Sequence, residues 1–182
     1  MYKRILVATD RSSTADCALE ETIKLANDVK AKVCVVYVVE DGYPMDDEAC
    51  DLIDFTAMQE AVTGTGEREL LFAAEKIRES GAQVEAVLIQ GEGECTARLI
   101  EREARKWEAD VIVIGARGAG SVSTRVTLGS VANELLSGSS VPVLLVHEKP
   151  EVLPAECQPD ESRARGRPAL HIVRTPSAKT SG

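Results

Sequence analysis

The chain has 182 residues, 44% of them apolar, and this length and composition favour one soluble domain with a full hydrophobic core. Its formal net charge of -9 disfavours unspecific binding to nucleic acid or to an anionic membrane, because both reward a positive protein surface. The longest apolar run, Val33 to Val39, is far shorter than the roughly 20 residues that span a bilayer.

The amino-terminal segment and the cysteines favour a cytoplasmic protein. The apolar run after Arg4 ends before Asp10 and is too short for a signal peptide, so no export signal is expected. We expect Cys34 to be a small core residue, whereas Cys95, near a predicted helix start, could have a lowered pKa. The five cysteines form no Cys-x-x-Cys pair and have no neighbouring histidine, which favours reduced thiols: Cys17, Cys34, Cys50, Cys95 and Cys157.

Five short apolar runs, separated by segments with helical spacing, predict alternating strands and helices. The runs are nearly continuous in apolar residues, as in parallel strands that helices cover on both faces. Because Pro142 has no N–H to donate to a neighbouring strand, it indicates that the last strand lies at the sheet edge. The predicted strands are Ile5–Ala8, Val33–Val39, Val84–Ile89, Val111–Ile114 and Val141–Val146.

The segments between the strands predict four helices. After the first strand, apolar residues from Ala15 to Ala26 recur at steps of three and four, and Ser12 or Ser13 can cap this helix. Gly81 and Gly138 are typical helix terminators and end two of the later helices. The later predicted helices are Glu67–Ser80, about Thr96–Trp107 and about Ser130–Ser137.

Two further segments are predicted to lie outside the regular elements. Residues 41–66 are acidic with little periodicity and predict a long solvated loop, with a lid as the alternative. From Lys149 prolines recur and apolar residues become sparse, so we expect a domain over residues 1–148 and a disordered tail over 149–182. The basic residues of the tail leave open a contact with an acidic partner or with the acidic loop.

A glycine-rich turn follows the fourth predicted strand. The segment Gly115-Ala116-Arg117-Gly118 forms this turn, and Gly129 with Ser130 opens the next predicted helix. Glycine permits a positive φ and a close approach to a ligand, while the amides of a helix start favour an anion. The pattern predicts a phosphate site to which Arg117 or Arg125 adds charge. A tight turn that needs glycine for its own geometry is the alternative interpretation.

A second candidate segment, Ala8-Thr9-Asp10, ends the first predicted strand. In a doubly wound sheet, the loops that flank the reversal of strand order form the ligand crevice. Asp10 could hold a ribose hydroxyl there, or a phosphate bridged by a metal ion. The alternative role for Asp10 is to stabilise a turn or cap the following helix.

Over residues 1–148 the chain resembles the nucleotide-binding branch of the universal stress protein family. Several separated motifs stand in the order that this family has, which makes a coincidence improbable. These motifs are Ile5 to Asp10 with Ser12 and Ser13, Val35 to Val39, Ala109 to Gly115, Arg117-Gly118, Leu128 to Val131, and Val141 to Val146.

The resemblance implies a doubly wound α/β fold with a five-stranded parallel sheet in the order 3-2-1-4-5, helices on both faces, and ATP between the ends of strands one and four. Val38 would contact adenine, Asp10 would hold Mg²⁺ if the ion takes part, and Gly91 would close the ribose side. The residues implied to surround the nucleotide are Ala8, Thr9, Asp10, Val38, Ile114, Gly115, Gly118, Gly129, Ser130 and Val131.

The spacing of the glycines departs from that of the family. The family signature resembles Gly-x2-Gly-x9-Gly-Ser/Thr, whereas ten residues, Ala119 to Leu128, separate Gly118 from Gly129 here. The segment Ala119-Gly120-Ser121 is small and flexible enough to absorb the extra residue.

These observations favour an ATP-binding regulatory module, a nucleotide-dependent switch in the stress response, over an enzyme. The histidines, His147 and His171, are not expected at the crevice, and no Gly-x-x-x-x-Gly-Lys-Ser/Thr loop is present. One alternative is a stress protein that binds no nucleotide and acts through contacts with an unknown protein partner. The other is a slow Mg²⁺-dependent ATPase in which Asp10 holds the metal. We also expect a homodimer through the edge strand 141–146.

Overall fold

The structure of the protein is a computed structural model that describes residues 2–40, 55–91, 93–118 and 128–148. The predicted loop up to residue 54, most of the spacer after Gly118 and the predicted tail lie outside the described residues. The elements are β1 (Arg4–Ala8), α1 (Ser13–Val29), β2 (Lys32–Glu40), α2 (Phe55–Glu79), β3 (Val84–Gly91), α3 (Thr96–Lys106), β4 (Val111–Gly115), α4 (Ser130–Gly138) and β5 (Val143–Val146).

All five strands run parallel in one sheet, in the order β3-β2-β1-β4-β5, as predicted. β1 is the central strand, where Ile5 lies opposite Val33 of β2 on one side and Val111 of β4 on the other. Because β1 and β4 are neighbours although three helices and two strands separate them in sequence, the chain reverses its direction of winding between them. A crevice is expected where the carboxyl ends of these strands meet.

The two faces of the sheet carry separate parts of the hydrophobic core. Side chains alternate along a strand, so Ile5 and Val7 of β1 pack on the side of α1 and α2. Leu6 and Ala8 pack on the opposite side, against α3 and α4. The near-continuous apolar runs of the sequence therefore serve both faces at once, as expected for parallel strands covered by helices.

The start of α2 corrects the prediction of a loop over residues 41–66, because residues 55–66 are helical. Two glycines and several threonines in this stretch weaken the helical pattern in the sequence. The structure explains Gly66, since a Cβ at this position would lie 2.9 Å from the Tyr37 ring of β2. The helix therefore approaches the sheet closely at a residue that intrinsic propensity disfavours. None of the described helices is both long and apolar enough to cross a bilayer.

Other boundaries differ by one to three residues. β5 begins at Val143 rather than at Val141, and Pro142 precedes it at the sheet edge, where its carbonyl oxygen accepts from the N–H of Ile112 at 2.8 Å. Ser12 is the residue that caps α1, since its Oγ accepts from the N–H of Ala15 at 3.1 Å. Such differences are small because caps and prolines mark the element ends in the sequence.

Cys34 is a core residue, as predicted. It is fully buried in β2 and packs on the side of the sheet that α3 and α4 cover. Burial, followed by the nearby carboxylates of Glu103 and Glu85, raises the pKa of the Cys34 thiol to about 12. The thiol therefore stays protonated and behaves as a small apolar side chain.

We expect Ile77→Ala to lower the free energy of unfolding by about 2–5 kcal/mol, because Ile77 is fully buried between α2 and the sheet. Leu71→Ala on the same helix is a matched control, since Leu71 is 68% exposed, and its effect should stay within about 0.5 kcal/mol. Urea unfolding of both variants measures the difference. Equal losses would contradict the placement of α2 on the sheet.

Candidate functional site

The loops after β1 and β4 lie side by side at the carboxyl edge of the sheet. The first loop runs from Thr9 to Ser12 and leads into α1, and the second begins at Ala116. The N–H of Thr9 donates to the carbonyl of Val36 in β2, and the N–H of Ala116 donates to the carbonyl of Val146 in β5. Both loops are thus fixed to the neighbouring strands where they leave the sheet.

Asp10 stabilises the turn that leads into α1. Its Oδ1 accepts from the N–H of Ser12 at 3.0 Å and from Ser12 Oγ at 2.6 Å. The turn role considered for Asp10 is therefore present in the structure. Its Oδ2 lies toward the second loop, since a Cβ on Gly118 would be 2.8 Å from this oxygen. The carboxylate of Asp10 thus lies between the two loops.

The side chain of Thr14 connects the two loops directly. Thr14 Oγ1 donates to the carbonyl oxygen of Arg117, and Ser12 Oγ lies 3.2 Å from the same oxygen. Thr14 is 2% exposed, so this contact is shielded from water. The first turn of α1 therefore fixes the backbone that follows β4.

The glycines of the second loop serve close packing. None of Gly115, Gly118 and Gly129 has a positive φ, so the conformational freedom of glycine is not used at these three positions. A Cβ on Gly115 would lie 2.6 Å from Oγ1 and 2.7 Å from the carbonyl carbon of Thr14. A Cβ on Gly129 would lie 3.3 Å from the Gly118 nitrogen. The chain segments approach too closely at these points for a larger residue to fit without movement.

The amino terminus of α4 presents backbone amides to the carboxyl edge. Gly129 is the N-cap and donates its own N–H to the Ala116 carbonyl at 2.8 Å. Because glycine has no side chain, it offers no acceptor to the first-turn amides of Ser130 and Val131. The positive end of the helix dipole is therefore exposed to any anion that approaches.

A cleft of about 470 Å³ opens between the ends of β2 and β3 and the amino termini of α3 and α4. We refer to it as the edge cleft. The start of α3 faces the same space, and its N-cap, Cys95, forms no hydrogen bond from its side chain to the first turn. The edge cleft is lined by Val38, Gly91, Gly93, Glu94, Cys95, Thr96, Ser130, Val131 and Glu134.

Four of the residues predicted at the nucleotide line the edge cleft: Val38, Gly91, Ser130 and Val131. Gly129 precedes Ser130, and Gly118 packs closely on Gly129. The structure therefore brings the residue predicted at adenine and the residues predicted at the phosphates to one end of the sheet.

The remaining predicted residues are not part of the lining. Asp10 and Arg117 take part in the contacts between the two loops described above. The other four are buried at the ends of β1 and β4 and just after β1: Ala8, Thr9, Ile114 and Gly115.

Sequence reasoning did not assign five of the lining residues to the ligand site: Gly93, Glu94, Cys95, Thr96 and Glu134. A signal for Glu134 was available, because a residue four positions after Ser130 shares the same helix face. Thr96 opens α3 and Glu94 lies two residues before it, so both lie at a helix start that the sequence did predict.

Arginines of α3 offset the two carboxylates in the edge cleft. Glu94 Oε2 lies 2.6 Å from the guanidinium of Arg102, and Glu134 Oε1 lies 3.9 Å from that of Arg98. The other oxygen of Glu134 accepts from Cys95 Sγ at 2.9 Å. The described residues contain no group of three or more side chains arranged to hold a metal ion.

The fold and the position of the cleft define a doubly wound α/β protein with a candidate ligand site at the carboxyl edge of its sheet. The model of the universal stress protein family matches residues 1–147. The chain belongs to this family, as its sequence motifs predicted.

Proteins of known family resemble the chain over most of its length. A universal stress protein of Synechocystis sp. is 30% identical over 160 residues, covering 80% of this chain and 97% of that protein. A solved structure from Burkholderia pseudomallei is 32% identical with a TM-score of 0.63, covering 80% and 96% of the two chains. The universal stress protein of Archaeoglobus fulgidus in complex with dAMP is 26% identical with a TM-score of 0.56, covering 80% and 98%.

We expect Gly115→Ala to destabilise the fold by about 1–3 kcal/mol even without ligand, because the new Cβ would overlap the backbone of Thr14. Gly138→Ala is the matched control. Nothing lies within 4 Å of a Cβ at Gly138, so this change should be neutral or stabilise by up to about 1 kcal/mol. Thermal and urea unfolding of the two variants provide the comparison. A Gly115→Ala protein as stable as the parent would disprove the close contact with Thr14.

Proposed function

We propose that the edge cleft binds an adenine nucleotide, ATP, and that the protein acts as a nucleotide-dependent regulatory module. The observation that carries the proposal is that Val38 and the first residues of α4, Ser130 and Val131, line the same cleft. An apolar strand residue suits one face of a purine, and an uncapped helix start suits a phosphate. The two halves of a nucleotide would thus find complementary surfaces within one space.

The size of the edge cleft and one relative support this assignment. A volume of about 470 Å³ falls in the range of roughly 300–1,000 Å³ that is usual for small-molecule sites. The Archaeoglobus fulgidus protein, a member of the same family, was solved with dAMP, which is an adenine nucleotide. In our proposal the phosphates lie at the amino terminus of α4, next to Gly118 and Gly129.

Asp10 and Arg117 would act at the phosphate side of this site. One oxygen of Asp10 is held by Ser12, and the other lies toward Gly118. A carboxylate in that position would repel bare phosphates, but it could hold Mg²⁺ between itself and the phosphate chain. Arg117 would add positive charge from the second loop.

Regulation by binding suits the chain better than catalysis. The described histidine, His147, is exposed just after β5 and does not line the edge cleft. We also propose a cytoplasmic location, which the unpaired thiols of Cys17, Cys34 and Cys95 support.

A stress protein that acts through protein contacts alone remains the second candidate. The carboxylates of Glu94 and Glu134 in the edge cleft favour it, because they oppose the approach of a polyanion. Their arginine partners on α3 reduce this opposition. The two candidates differ in one measurable property, which is the affinity for ATP.

Calorimetric titration of the nucleotide-free protein with ATP and Mg²⁺ tests the proposal. We expect saturable binding, and we expect Gly118→Ala to weaken it about ten- to hundredfold, because loss of one charge-assisted phosphate contact is worth roughly 1.5–3 kcal/mol. The new Cβ would also displace the Asp10 carboxylate. Gly138→Ala, at the far end of α4, should bind like the parent protein.

Two results would count against this assignment. Absence of any heat change with ATP in the parent protein would favour the second candidate function. Equal affinities for the parent and Gly118→Ala would show that the phosphates bind elsewhere.

We further propose a homodimer through the strand predicted at 141–146. β5 is an edge strand with an exposed Leu144, and Leu136 of α4 is 46% exposed. Sedimentation across the micromolar range should report a dimer, and Leu144→Lys should shift it to a monomer. Leu71→Lys, on α2, is the control that should leave the mass unchanged. A monomer mass at every concentration of the parent protein would refute the dimer.

A further inference from the structure

Arg117 forms an ion pair that joins the glycine-rich loop to the end of the described chain. Its Nη2 lies 3.2 Å from Oε2 of Glu148, and the two side chains are 35% and 37% exposed. The pairing of β4 with β5 brings these residues together, because the N–H of Ala116 donates to the carbonyl of Val146 at 2.7 Å. The sheet therefore places the backbones of Arg117 and Glu148 close enough for their side chains to form this ion pair.

The backbone of Arg117 lies next to the amino terminus of α4. A Cβ built on Gly129, the N-cap of this helix, would lie 3.4 Å from the Cα of Arg117. The carbonyl of Arg117 is held by Thr14, so its position along the loop is fixed. The backbone of Arg117 therefore lies beside the proposed phosphate position.

We infer that Glu148 competes with the phosphate groups of the nucleotide for Arg117, and that this competition lowers the affinity for phosphorylated ligands relative to adenosine. The inference rests on the proposed function. Glu148 is a determinant of specificity in this scheme, acting through Arg117 and without touching the nucleotide.

Arg117 should interact more strongly with a phosphate group than with the carboxylate of Glu148. An ion pair between half-exposed side chains contributes little, because water and salt screen it. A phosphate chain carries more charge than a carboxylate and accepts parallel hydrogen bonds from a guanidinium. Adenosine has no phosphate, so we expect Arg117 to stay paired with Glu148 when adenosine binds.

Three other carboxylates near this site have partners of their own. Glu94 and Glu134, which line the edge cleft, are paired with Arg102 and Arg98 of α3, and Asp10 accepts hydrogen bonds from Ser12. Glu148 is the carboxylate that forms the ion pair with Arg117. Removing that charge should increase the affinity for phosphorylated ligands alone.

The test compares the affinities of ATP, AMP and adenosine for the full chain and for Glu148→Gln by calorimetry at low salt. We expect Glu148→Gln to bind ATP about two- to fivefold more tightly, the range that the strength of an exposed ion pair allows, and to bind adenosine unchanged. Combining Arg117→Gln with Glu148→Gln should abolish the gain. Glu75→Gln removes an equal charge from a pair with Arg78 on α2, and it should change no affinity.

The possible outcomes separate this inference from the proposed function. If the parent protein binds ATP but Glu148→Gln leaves its affinity unchanged, the competition does not exist while the proposed function stands. A gain for adenosine equal to that for ATP, or the same gain with Glu75→Gln, also overturns the inference. If the parent binds none of the three ligands, the proposed function fails and the inference fails with it.

Discussion

The hydrogen bond from Thr14 to the carbonyl of Arg117 is the contact on which the arrangement of the carboxyl edge depends. It joins the start of α1 to the backbone after β4, two segments that are more than one hundred residues apart in sequence. Thr14 itself is buried, and Ser12 Oγ lies near the same carbonyl oxygen, so the first turn of α1 holds this backbone with two hydroxyl groups. Together with the hydrogen bond from Gly129 to the Ala116 carbonyl, these contacts position Gly118 and the start of α4.

The edge cleft lies at two helix starts whose N-cap residues form no side-chain hydrogen bond to the first turn. Gly129, the N-cap of α4, has no side chain. Cys95, the N-cap of α3, donates its thiol to Glu134 and not to the first turn of its own helix. Natural helices usually begin with a residue whose oxygen satisfies the first amides. At α4 this arrangement costs stability locally, because the N-cap offers the first-turn amides no side-chain acceptor. Binding sites commonly contain locally destabilising features of this kind, which keep polar groups accessible to a ligand.

The strands were predictable because burial on both faces makes them continuously apolar, as Ile5 to Ala8 and Val111 to Ile114 illustrate. The beginning of α2 was not predictable, because Gly64 and Gly66 obscure the helical pattern in the sequence. Gly66 is explained by the close approach of α2 to Tyr37, a residue distant in sequence. Local propensity carries no information about a contact of that kind.

In the candidate site, too, some residues could be predicted from sequence pattern and topology, whereas others depend on contacts between helices. Residues at strand ends and at the start of α4 could be found because topology dictates where they meet, and Val38 and Ser130 share the edge cleft. Glu94 and Glu134 were missed because their importance arises from how α3 and α4 lie beside each other. Sequence spacing along one helix can indicate a shared face, but it does not reveal which neighbouring helix supplies the arginines.

The close contact between Gly115 and Thr14 also affects how glycine signatures in this fold should be interpreted. A relative that had lost its ligand entirely would still need glycine at this point, because the helix start presses against it. Gly118 is different, since the atom nearest to an added Cβ is the end of the Asp10 side chain, which can move. A glycine at the position of Gly115 therefore indicates the fold, whereas of these two positions only that of Gly118 can indicate a ligand. Sorting family members by the complete signature would mix these two kinds of information.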